Sequence, residues 1–118
     1  MSRCRYGRHI PAFILLFLAD GPCYGSTLVN RLAEELPHNR ADSAAVYRAL
    51  KELEQEGAVT SYWDTSEPGP ARRWYRITPL GYEKLAYYKR DIEERLQNLQ
   101  YFLRRYAELE EKRRGEEK

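Results

Sequence analysis

Residues 43–77 read SAAVYRALKELEQEGAVTSYWDTSEPGPARRWYRI, and this run decides the fold. From about Ser43 to Glu56 it is built of helix formers, Ala44, Ala45, Ala49, Leu50 and Leu53 among them, and Gly57 is placed to stop the helix. Asp42 or Ser43 can cap its start. Val46, Leu50 and Leu53 recur at helical spacing and seat one stripe in a core, which leaves Tyr47, Arg48 and Lys51 on the opposite flank. Val59 to Thr65 is then rich in β-branched and aromatic residues, and Arg72 to Ile77 reads as its antiparallel partner. Ser66 to Ala71, with Pro68-Gly69-Pro70 at its tip, is the loop between them. Strand alternation sets Arg73, Tyr75 and Ile77 on one face, with Tyr75 and Ile77 marking the core side, and Arg72, Trp74 and Arg76 on the other.

Upstream, Pro11 suits the first turn of a helix that continues through Ala19 until Asp20-Gly21-Pro22 breaks it. That helix is apolar almost all round and therefore belongs at the buried centre. Gly25 and Ser26 open the next helix, with Leu28, Val29, Leu32 and Leu36 on one face and Pro37 at its end. A polar turn from His38 to Asp42 leads into the helix beginning at Ser43. Three helices in this order followed by a hairpin form a winged helix-turn-helix, a mainly α protein with a small β-hairpin (α+β).

Thr78-Pro79 begins a long helix predicted to reach about Arg114, about 50 Å in length. Leu85, Ile92, Leu99 and Tyr106 repeat every seven residues, and Leu96 and Leu103 form a second such series between them. This seam, interrupted at Lys89 and Glu110, predicts a self-paired dimer rather than an extended rod, while the competing reading packs the helix back on the first helix and buries Leu85 and Tyr82 as part of the same dimer interface. The charged tail from Glu110 is expected to fray. The chain thus divides into a winged domain over residues 1–78 and a dimerisation helix with charged tail over 79–118.

The 118 residues are one domain with an appendage, and 42% hydrophobic content suffices for a small core. A formal charge of only +2 makes placement matter more than total. Arg3, Arg5 and Arg8 crowd the N-terminus and Arg72, Arg73 and Arg76 the hairpin, while Glu34, Glu35, Glu52, Glu54 and Glu56 collect elsewhere. Cys4 and Cys23 form no CxxC pair and no disulfide framework, which fits a reducing cytoplasm. The apolar run from Ile10 to Ala19 loosely imitates a secretory leader, but reads as a core helix and is too short to span a bilayer. No serine-histidine-acid set, glycine-rich phosphate loop or paired carboxylate motif argues for an enzyme. Cys4, His9, Cys23 and His38 lack the spacing of a zinc site, so neither metal nor cofactor is expected. A redox role for Cys23 would need an accessible, electropositive setting.

A phenol and two cations on an exposed stripe near a helix N-terminus suit phosphate contacts, and Arg48 or Lys51 can reach guanine edges in a major groove. Taken alone, that helix is an ordinary solvated amphipathic one; joined to a basic wing it points to double-stranded DNA. The expected DNA-binding residues are Ser43, Tyr47, Arg48, Lys51, Arg72 and Arg73. The bland reading of the wing is a wet strand whose arginine stems cover aromatic rings.

Three stretches together resemble the PadR family of transcriptional regulators, in its short subfamily with a single C-terminal helix. They are Ile14 to Gly25 (ILLFLADGPCYG), Val46 to Gly57 (VYRALKELEQEG) and Arg72 to Gly81 (RRWYRITPLG). The resemblance implies a homodimeric repressor that binds a pseudo-palindromic promoter site and releases it when a small molecule binds. It also implies that Tyr47 lies against the DNA backbone. Ser26 departs from the family's usual tyrosine, Ala44 and Ala45 from its glycine and hydroxyl residue, and Trp74 from its commoner wing residue. The missing hydroxyl at Ala45 removes one phosphate contact, for which Ser43 can substitute. Some members hold flat aromatic drugs between their subunits. Tyr87 and Tyr88 are the candidate effector pocket here, with Tyr101, Phe102 and Tyr106 further along the helix, against the simpler reading that these rings pack the dimer. The alternative function is a dimeric winged-helix protein-interaction module without operator recognition.

Overall fold

The computed structural model describes residues 9–38 and 42–117. Arg3, Cys4, Arg5 and Arg8, and the middle of the turn between His38 and Asp42, lie outside the described residues. Helix α1 (Ile10–Ala19) leads into a two-residue strand β1 (Cys23–Tyr24), helix α2 (Gly25–Glu35) and helix α3 (Ser43–Gln55). Strands β2 (Val59–Asp64) and β3 (Arg72–Ile77) make the wing, and helix α4 (Pro79–Glu117) completes the chain. Element ends fall within a residue of the predicted ones, with two exceptions. Strand β1 was not anticipated, and α4 runs to Glu117 where a frayed tail from Glu110 was expected. Glu, Lys and Arg dominate that tail and are good helix formers, and Glu110 stands four residues before Arg114, the orientation that supports a helix.

The core is the meeting of α1, α2 and α3. Ile14, Leu15 and Leu18 of α1, Leu28 and Leu32 of α2, and Val46, Leu50 and Leu53 of α3 are essentially free of solvent, joined by Val59 from β2. Each such side chain contributes about 1.5–3 kcal/mol relative to exposure. The stripe predicted on α3 is therefore the buried one, and α1 is the core helix its composition suggested. Arg31 fastens α2 to α1: its guanidinium lies 4.1 Å from the Phe17 ring centre and pairs with Asp20 at 3.1 Å and Glu35 at 2.7 Å.

Helix α3 begins on Asp42, whose carboxylate accepts from the Ala45 amide at 2.9 Å. It ends in a glycine-dependent C-cap. Gly57 adopts φ 84°, its amide donates to Glu54 O, and the Ala58 amide reaches back to Leu53 O at 2.9 Å. This turn delivers Val59 directly into β2. The sheet order is β1-β3-β2, all antiparallel, with Cys23 opposite Tyr75 and Tyr24 opposite Trp74 on one side of β3. On the other side Ser61 faces Tyr75, Tyr62 faces Trp74 and Asp64 faces Arg72. Tyr75 is buried and Ile77 half-buried, as the alternation required.

Thr78 ties the end of the wing to α4. Its amide donates to Ala58 O at 3.0 Å, its hydroxyl donates to Gly57 O at 2.6 Å, and that hydroxyl accepts from the Gly81 amide at 3.1 Å. The fold divides into two units, the first reaching through Ala86 and the second from Tyr87 onward, so the first two turns of α4 belong with the winged domain. Among the described residues no helix is long and apolar enough to cross a membrane, and no three His, Cys, Asp or Glu side chains converge as metal ligands.

Candidate nucleic-acid interface

Because Asp42 takes the capping duty, the Ser43 hydroxyl is left exposed at the head of α3. One turn on, Arg48 and Lys51 project from the exposed flank, and neither is in an ion pair among the described residues. Tyr47 is 44% exposed, and its ring lies against the backbone of Gly25 at the start of α2. A Cβ at position 25 would stand 2.5 Å from the ring's Cε1, so the glycine is what lets the phenol lie flat over the junction of the two helices.

The two wing arginines are held in different ways. Arg72 stacks on Tyr24, its guanidinium carbon 3.8 Å from the ring centre, and donates to the Ser26 hydroxyl at 3.3 Å. Tyr24 meets Trp74 edge-on at 4.6 Å and donates its hydroxyl to Asp64 Oδ2 at 2.6 Å. Hydrogen bonds from Tyr24 and then Ser66 hold the Asp64 carboxyl down at about 2, and the same bond raises the Tyr24 phenol. Arg73 turns to the other face. It donates to Ser61 Oγ at 2.9 Å and pairs with Glu54 at 3.3 Å, while Ser61 itself donates to Glu54 at 2.6 Å. Arg73 also lies 5.3 Å from the centre of the exposed Trp63 ring.

In α4, Leu96, Leu99, Leu103 and Tyr106 are all exposed in the single chain, and Leu85 and Ile92 are half-buried. At 100° per residue these six positions fall within about 80° of arc, one apolar stripe. Tyr82 is exposed in the single chain. Tyr87 and Tyr88 meet edge-on at 5.8 Å, Tyr87 exposed, and Phe102 stacks on Tyr106 at 6.0 Å. Burial raises the Cys23 thiol, with Arg31 opposing, which keeps it protonated and argues against a reactive thiolate.

Residues 14–87, more than half of the chain, match the transcriptional regulator PadR-like family. The chain belongs to that family. It is a family of transcriptional regulators rather than enzymes. Solved PadR-like folds agree with the architecture described above. A conserved protein of unknown function, described as a potential transcriptional factor, is 33% identical with a TM-score of 0.74, over 88% of this chain and 92% of its own. A PadR family transcription regulator from Clostridium difficile R20291 is 24% identical with a TM-score of 0.68, over 80% and 98%. The Bacillus subtilis PadR, solved in complex with operator DNA, is 25% identical with a TM-score of 0.62, over 69% of this chain and 46% of that one. No curated protein matches the sequence at a significant level.

The structure brings Tyr47, on α3, beside Gly25 at the start of α2, and Arg72, on the wing, onto Tyr24 and Ser26 at that same start. Sequence reasoning missed Tyr24, Ser61 and Asp64. The carboxylate could have been found from the hairpin register, which sets Asp64 opposite Arg72; Tyr24 could not, because a strand of two residues has no periodicity to read.

Proposed function

We propose that this PadR-like protein is a homodimeric, sequence-specific DNA-binding repressor that acts in the cytoplasm on a pseudo-palindromic promoter site and is released by a small aromatic effector. The observation that carries the reading is the exposed, unneutralised flank of α3. Among the described residues Arg48 and Lys51 are in no ion pair; they stand beside Tyr47 and Ser43, with Arg72 on the adjoining wing. Cations on a helix of a helix-turn-helix that leave their charge unspent are suited to phosphates and guanine edges. The complex of the Bacillus subtilis PadR with operator DNA supports the same partner.

Dimerisation is supported by the exposed apolar stripe of α4, from Leu85 through Ile92, Leu96, Leu99 and Leu103 to Tyr106. Leucines left open to water at heptad spacing gain by meeting a second copy. Two α3 helices then enter successive major grooves about 34 Å apart, which sets half-sites one turn of DNA from each other. Tyr87 and Tyr88 supply flat apolar surface for an aromatic effector, whose different affinity for two dimer geometries would shift the spacing of the α3 helices.

The test is a mobility-shift titration on the protein's own upstream promoter fragment beside an unrelated fragment, at two salt concentrations. Selective, salt-sensitive retardation, reversed by a member of a panel of planar cations, is expected. Equal weak binding to both fragments, or none, would instead favour a protein-interaction module.

A further inference from the structure

Arg72 and Arg73 are neighbours in sequence and chemically identical, yet the fold pairs one of them directly with a carboxylate and stacks the other on a tyrosine. Arg73 spends its charge internally: Nη2 lies 3.3 Å from Glu54 Oε1, Nε donates to Ser61 Oγ at 2.9 Å, and Ser61 closes the triangle on Glu54 at 2.6 Å. Drawing that guanidinium away to a phosphate would strip Glu54 of its cation. Among the described residues Arg72 forms no salt bridge. It donates to the neutral Ser26 hydroxyl at 3.3 Å, while Asp64, opposite it in the sheet and within reach of its charge, accepts its hydrogen bonds from Tyr24 and Ser66. The guanidinium carbon lies 3.8 Å from the Tyr24 ring centre, and among the described residues its hydrogen bond to Ser26 leaves most of its five donors unused.

We propose that the two wing arginines divide the work: Arg72, positioned by Tyr24, delivers its charge to a DNA phosphate, whereas Arg73 is a clasp that joins β3 to α3 through Glu54 and Ser61 and touches no phosphate. The assignment rests on the DNA-binding reading above and sharpens it. Tyr24 is a positioning residue: it supplies no charge to the DNA but sets the orientation of the group that does. Arginine suits this role where lysine does not, because only a planar guanidinium can lie on the ring while donating outward.

The salt dependence of binding separates the two roles, since each phosphate contact contributes a slope of about 0.9 in log K against log salt. With one contact per protomer, Arg72→Gln should reduce the slope of the dimer by about 1.8, which is roughly a twelvefold smaller loss of affinity between 50 and 200 mM salt. Arg73→Gln should leave the slope as in the unmodified chain and lower the thermal midpoint instead. Arg72→Lys and Tyr24→Leu should keep the slope, because the charge remains, while weakening binding severalfold at fixed salt. The measurement is a fluorescence-anisotropy titration of a promoter fragment at four salt concentrations, with a melting curve for each variant. Equal slope losses for Arg72→Gln and Arg73→Gln, or a loss confined to Arg73→Gln, would overturn the division of labour while leaving DNA binding intact. Absence of binding by the unmodified chain would overturn the DNA-binding reading, and this assignment with it.

Discussion

Gly81 sits in a tight joint of the fold, and it yields a quantitative prediction. A methyl group there would run into the Ala58 carbonyl oxygen and stand 2.5 Å from Ile77 Cγ1. The carbonyl cannot retreat cheaply, because it accepts the Thr78 amide at 3.0 Å, and Thr78 in turn caps the first turn of α4 through the Gly81 amide. Overpacking of this kind costs about 1–3 kcal/mol, and a backbone atom together with a branched side chain points to the upper part of that range. Replacing glycine by alanine in a helix returns at most about 1 kcal/mol. Gly81→Ala should therefore destabilise the winged unit by about 1–2 kcal/mol, equivalent to a fall of roughly 4–16 °C in melting temperature for a domain of this size. Gly115→Ala, in the same helix with nothing within 4 Å of its new methyl, should be neutral or slightly stabilising. Urea unfolding followed by Trp63 and Trp74 fluorescence, at one fixed protein concentration, measures both. If Gly81→Ala proved as stable as Gly115→Ala, the close approach of α4 to the end of α3 would be refuted.

Three further outcomes are expected. The Asp64 carboxyl sits at about 2 against an ordinary 3.8, so its contribution to stability is complete above about pH 4 and is lost as the pH falls through 2. Tyr24→Phe removes its principal donor, and an NMR titration should then find the carboxyl moved upward; an unchanged value would show that the phenol is not the cause. Leu99→Glu combined with Leu103→Glu places charges in the exposed stripe of α4 and should convert a dimer to monomer in sedimentation at micromolar concentration, with the far-ultraviolet spectrum of the winged unit retained. Gly25→Ala forces the Tyr47 ring off the start of α2. Since the clash is with the far end of a partly exposed side chain, stability should change by less than about 1 kcal/mol, while promoter affinity falls by a few-fold to tenfold, the scale of one hydrogen bond.

Much of this molecule was legible in the sequence, because its core elements bury one face each. Val46, Leu50 and Leu53 announced the inner side of α3 by spacing alone, and the same spacing put Tyr47, Arg48 and Lys51 outside. Gly57 marked the end of the helix because only a residue at ease with positive φ fits there. The apolar stripe of α4 was readable for the opposite reason: its leucines keep their seven-residue period although they stand open to water. What could not be read were side-chain destinations. Arg72 and Arg73 both counted as exposed wing cations, and nothing in a one-dimensional pattern distinguishes a guanidinium stacked on Tyr24 from one paired with Glu54. Those partners lie 48 and 19 residues away, brought in by the sheet register and not by local spacing.

The unanticipated strand β1 explains why this matters for function. Two residues give it no sequence signature, but its pairing with β3 sets Tyr24 opposite Trp74 and so fixes the last residue before α2 onto the wing. Without that pairing the wing would be a two-stranded hairpin held to the helices through the Arg73–Ser61–Glu54 clasp but not to the start of α2, and two-stranded hairpins are marginally stable in water. With it, the start of α2, the Tyr47 ring lying on Gly25, and the guanidinium of Arg72 lying on Tyr24 are referred to one short stretch, Cys23 to Ser26. A cation held in such a frame loses little conformational freedom when it meets a phosphate, so more of the contact energy is available for binding. The third strand therefore acts less as added sheet than as the joint that makes the helix-turn-helix and the wing a single rigid surface.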